Sequence, residues 1–98
     1  MWKMSNVEIS IPYSHLVITI RALENSDLLQ QIGKPLLVLE NASEDKTKKQ
    51  KLKLNQKELD LIVDSLGDLL IHTGIDDQGE VNAIGRDIES VIDLFNSG

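Results

Sequence analysis

The chain has no cysteine, and that absence removes disulfides, thiolate nucleophiles and thiolate metal sites together. Aromatic residues are scarce: Trp2, Tyr13 and Phe95 are the whole set. No apolar run approaches the roughly 18 residues a membrane-spanning helix needs. The opening Met1-Trp2-Lys3-Met4 is not the long apolar stretch of a secretory signal, so the expected location is cytoplasmic. No two of Gly33, Gly67, Gly74, Gly79 and Gly85 form the glycine-rich cradle of a phosphate loop. Basic residues almost vanish from the C-terminal part, where Arg86 stands alone after Lys57.

What is abundant is branched aliphatic surface. Among 98 residues there are 15 Leu, 11 Ile and 6 Val. That density excludes a disordered chain. It fills one core and is too little for two, so residues 1–98 read as a single domain, with 1–5 as a loose lead-in. From Val7 to Ile11 apolar and polar residues alternate, the pattern of a half-buried strand. Pro12 to His15 reads as a turn. Leu16 to Leu23 is ambiguous. Tyr13, Leu16, Val17, Ile20 and Leu23 fit a helical stripe, but Val17-Ile18-Thr19-Ile20 is a β-branched run that loses rotamer freedom in a helix. The run favours strand, making 7–23 a candidate hairpin. A short helical turn is expected from Ser26 to a stop at Gly33. Leu36 to Leu39 is a short apolar run with the length of a buried strand, and Asn41 to Lys49, with no apolar residue except Ala42, reads as a solvated loop or hairpin tip. Leu52 and Leu54 alternate with Lys51 and Lys53, giving a strand with one dry face.

The last third is the most regular. Asn55 with Glu58 three residues on resembles a capping box, and Leu59, Ile62, Val63, Leu66, Leu69 and Leu70 keep helical spacing up to His72, with Gly74 as the stop. Asp77 and Glu80 repeat the cap spacing ahead of a second stripe, Ile84, Ile88, Val91, Ile92 and Phe95. About five residues between the stripes imply antiparallel neighbours. The expected fold is therefore α+β: a small antiparallel sheet of three or four strands within residues 7–54, packed against a C-terminal antiparallel helical hairpin over 56–96. A mostly α bundle is the alternative if 14–24 are helical.

Charge is unevenly distributed. Residues 46–57 hold six lysines and no acid, whereas 58–98 hold ten acids and one base. Lys46, Lys48, Lys49, Lys51 and Lys53 form a basic ribbon. A nucleic-acid role would use it to follow phosphates. However, the run has no aromatic for stacking and no arginine for forked contacts, and the acidic whole, −6 in net charge, repels nucleic acid at long range. The plainer role is to keep an edge strand soluble. Asp60, Asp64, Asp68 and His72 fall at four-residue steps, one ladder down a helix. Like charges at that spacing destabilise a helix by roughly 0.2–0.5 kcal/mol per pair. The ladder is either a solvated face or a surface made for a basic partner.

No other motif carries chemistry. Asp68 and His72 share a face, but two groups on one helix do not hold a metal, and His15 lies in a distant segment. Asp76-Asp77-Gln78-Gly79-Glu80 fails the spacing of a calcium loop. Asp64-Ser65-Leu66 is the tripeptide that carries the prosthetic group in acyl carrier proteins, yet here the serine falls in mid-helix. The expectation is a small acidic protein-binding domain, not an enzyme, with no cofactor and no metal. It presents Asp60, Asp64, Asp68 and His72 to a basic partner of inhibitor, immunity, antitoxin or adaptor type. A nucleic-acid module using Lys46 to Lys53 is the alternative. The pairing of a +6 ribbon with a −9 helical segment also allows a homodimer.

Overall fold

The two alternating segments find each other. Strand β1 (Val7–Ile11) pairs antiparallel with β2 (Gln50–Leu54), setting Val7 opposite Leu54, Ile9 opposite Leu52 and Ile11 opposite Gln50. Ile9, Ile11, Leu52 and Leu54 are buried, whereas Glu8, Ser10, Lys51 and Lys53 are exposed, so the ribbon has one dry and one wet face. The computed structural model describes residues 7–42 and 48–97. Among these, the sheet has two strands, and the third and fourth expected within 7–54 are absent. About two thirds of the described residues are helical, and the architecture is α+β.

The segment expected to complete a hairpin with β1 is instead helix α1 (Tyr13–Asn25). Its β-branched run sacrifices a few tenths of a kcal/mol per residue, about 2 kcal/mol at most. Burial outweighs this, because each of Leu16, Ile20 and Leu23 returns roughly 1.5–3 kcal/mol. These three and Thr19 lie on one helical stripe and are buried. The Thr19 hydroxyl donates to the His15 carbonyl at 2.7 Å, satisfying itself inside the core. Pro12, extended at φ −66° and ψ 152°, ends the strand and starts the helix, its carbonyl accepting from Leu16 N at 3.0 Å.

The turn after α1 runs through Asp27, at φ +59°, into α2 (Leu29–Ile32), which Gly33 closes near the expected place. The expected strand at Leu36–Leu39 is also helical: α3 (Lys34–Ala42) buries Leu36 and half-buries Leu37 and Leu39. Pro35 sits in its first turn, where a missing N–H breaks no helical hydrogen bond.

Helix α4 (Gln56–Thr73) begins with the expected capping box: Asn55 Oδ1 accepts from Glu58 N at 2.8 Å, and Glu58 Oε1 accepts from Asn55 N at 3.0 Å. Helix α5 (Ala83–Ser97) starts later than Asp77 implied, because Asn82 is its cap, accepting from Gly85 N at 2.8 Å. The connector therefore spans nine residues, 74–82, not five, and folds back through an Ile75–Val81 bridge. Gly74, ending α4, lies against Gly85 in the first turn of α5; a Cβ on Gly74 would stand 2.6 Å from the Gly85 Cα. At the other end Phe95 borders the same cleft as Leu59, so the two helices run in opposite directions. Leu59, Ile62, Leu66 and Leu69 of α4 and Ile88, Val91 and Phe95 of α5 are buried, joined by α1 on the same core. Ile84, assigned to that stripe by spacing, is 58% exposed.

Candidate functional site

Asp60, Asp64 and Asp68 all stand exposed on α4, one turn apart, as their spacing requires. Asp60 Oδ1 accepts from Gln56 Nε2 at 2.9 Å. Among the described residues the only ion pair is Lys51 with Glu8, at 3.7 Å across the wet face of the sheet, so no described lysine or arginine forms an ion pair with the ladder. His72 ends the row. Its ring Nδ1 lies 2.8 Å from the backbone carbonyl of Asp68, so it stitches the last turn of the helix and leaves the Asp68 carboxylate to solvent.

The ladder divides in two. Asp60 and Asp64 line a cleft of about 520 Å³ whose other walls are Val7 of β1, Gln56, Leu59 and Val63 of α4, and Phe95 and Asn96 of α5. Asp68 and His72 lie farther along, away from it. The cleft exists because β1 enters beside the start of α4 while α5 ends there. Its lining is mixed: Val7 and Val63 offer half-buried apolar surface, Leu59 and Phe95 are almost closed off beneath them, and Gln56, Asn96 and the carboxylates of Asp60 and Asp64 supply the polar part. The charged half was visible as a spacing; Val7, Phe95 and Asn96 were not, because no local pattern places residues from three elements around one opening.

The basic ribbon is placed in part. Lys46 lies outside the described residues. Lys48 and Lys49 are exposed ahead of β2, and Lys51 and Lys53 share the wet face of the sheet. The Lys51–Glu8 pair joins side chains 74% and 47% exposed, so it contributes between nothing and about 1 kcal/mol. Beside the ribbon lies a second, more apolar cleft of about 420 Å³, between α3 and β2.

The remaining motifs resolve into structure. Ser65 is 1% exposed inside α4, so its hydroxyl is closed to a carrier-type attachment. Asp76 Oδ1 accepts from Gln78 N and Glu80 N, both at 2.9 Å, which commits that oxygen to its own turn, with Gly79 at φ +81°. Among the described residues no three His, Cys, Asp or Glu side chains converge on a metal position. No helix among them is long and apolar enough to cross a membrane. Comparison with protein-family models, curated proteins and solved structures yields no match; the residues and their geometry therefore carry the functional argument.

Proposed function

We propose that this chain is a non-enzymatic protein-binding domain, of inhibitor, immunity, antitoxin or adaptor type, whose acidic α4 face receives a basic segment of a partner protein. The observation that carries the reading is the cleft beside Asp60 and Asp64. A lysine or arginine has an apolar stem and a cationic head. The stem matches the half-buried apolar lining of Val7 and Val63, and the head matches the carboxylates of Asp60 and Asp64. Asp68 extends the acidic face by one further turn and helps steer a basic partner toward it, and His72, one turn on, ends the face with a ring that can meet the partner.

The test is an NMR titration of the full chain with a peptide alternating lysine and leucine. Amide shifts should concentrate at Gln56 to Asp64 and at Asn96, and Asp60→Asn with Asp64→Asn should remove them. Shifts spread evenly over the acidic surface, or unchanged in the double variant, would reject the cleft as the site.

The nucleic-acid alternative draws on Lys48, Lys49, Lys51 and Lys53, all exposed. It requires a gel-shift complex at low ionic strength that dissolves as salt rises. A homodimer pairing each ribbon with the acidic helices of its twin draws on the same opposition of charge. Sedimentation near 11 kDa at low salt and high concentration would dismiss it.

A further inference from the structure

The cleft between α3 and β2 is lined by Lys34, Pro35, Val38 and Leu39 on the helix side and by Lys51, Leu52 and Lys53 on the strand side. Successive side chains of a strand point to opposite faces, and here Lys51 and Lys53 are exposed while Leu52 is buried. A cleft that borders all three residues therefore runs along the edge of β2 and does not lie over either face. Among the described residues that edge takes no partner: β1 takes the other side of β2, and no hydrogen bond reaches the outer side from any of them. Val38, on the opposite wall, is 57% exposed although it is a large apolar side chain.

We infer that the outer edge of β2 takes an added strand, an extended segment of a partner protein in which aliphatic and acidic residues alternate. Two observations choose this occupant. Lys34, Lys51 and Lys53 line the groove and no acid does, and among the described residues only Lys51 of the three already has an acid beside it, Glu8. In addition, the inner edge of the same strand already holds a segment of this chemistry, Val7-Glu8-Ile9-Ser10-Ile11, with Glu8 on Lys51. The outer edge offers the same two lysines and Leu52 to a second such strand. Its outward N–H and C=O groups extend the ladder, its aliphatic side chains meet Leu52, Val38 and Leu39, and its carboxylates meet the lysines. Opposite charges in cross-strand positions favour this register, and a lysine-rich strand is repelled from it. This surface is separate from the acidic face of α4 and stands whether or not that face binds a partner.

Fluorescence anisotropy with a labelled hexapeptide alternating valine and glutamate, titrated with the full chain, tests the inference. Saturable binding is expected, weakened about tenfold by Lys34→Glu and by Val38→Asp. Both positions are exposed on α3, and circular dichroism checks that each variant is folded. Methylating alternate backbone nitrogens of the peptide leaves its charge unchanged and should abolish binding, because strand addition needs those N–H groups. Equal binding of the methylated peptide would overturn the inference in favour of simple charge attraction. No binding at millimolar peptide would overturn it outright. So would an oligonucleotide that displaces the peptide at low salt, or self-association lost in Lys34→Glu, since these assign the groove to nucleic acid or to a second copy.

Discussion

The two halves of the chain make their helices by different means. α4 and α5 are closed at their starts by their own side chains, Asn55 with Glu58 and Asn82 with the Gly85 N–H. Neither α1 nor α2 has a side-chain cap bond, and neither has an acid in its first turn. What holds α1 is the surface it covers: it packs on α3, α4 and α5 and buries Leu16, Thr19, Ile20, Ala22 and Leu23. A helix whose ends are capped gains stability from residues within four positions of each other. A helix rich in β-branched residues and left uncapped owes its conformation to the rest of the fold. The acidic ladder sits on the first kind of helix. Only a helix secured at its start and along its buried face has stability to spare for three like charges in a row.

Substitutions can break this comparison at either end. Leu16→Ala removes a fully buried anchor of α1 and should cost about 2–5 kcal/mol, read as a lower urea midpoint. A loss under about 1 kcal/mol would mean that α1 does not depend on packing. Gly85→Ala comes next. Its Cβ would meet the Gly74 carbonyl oxygen and the Val81 side chain, pushing α5 off α4 at a cost of about 1–3 kcal/mol; thermal unfolding measures it. Asn55→Ala, which removes a cap but no packing, should cost about 1 kcal/mol. If Asn55→Ala proves as damaging as Leu16→Ala, the distinction between the halves fails.

The same distinction explains what was legible in the sequence. The capping box at Asn55 and the stripe from Leu59 to Leu70 are local signals, and they describe α4 correctly. β1 and β2 were visible because alternation over five residues is also local. The ambiguity at Val17–Ile20 was real, since strand and helix each satisfied part of the pattern. The deciding quantity was the apolar area that α3, α4 and α5 together offer to α1, which no short window contains. Leu36 to Leu39 misled for a related reason: a four-residue apolar run has no periodicity to read, and the helix around it extends into polar residues at both ends. Asp77 has a cap-like spacing to Glu80, but it is Asn82 that caps α5, accepting from Gly85 N while also donating to the Thr73 carbonyl at 3.1 Å. At the candidate site, Asp60 and Asp64 were legible as charges in register. The cleft beside them needed β1, α4 and α5 to converge.

On the proposed function, the acidic face of α4 is kept for binding at some expense of helix stability. Replacing Asp60, Asp64 and Asp68 together by Asn removes two like-charge steps and should leave the chain as stable as before or more stable, by up to about 1 kcal/mol. The lysine–leucine peptide should at the same time bind the variant at least about tenfold more weakly. Urea unfolding and peptide titration on that one variant test both halves of the claim. Equal or higher stability with lost binding is the predicted result; a variant that binds the peptide as the parent does, or that is destabilised by the change, would contradict it.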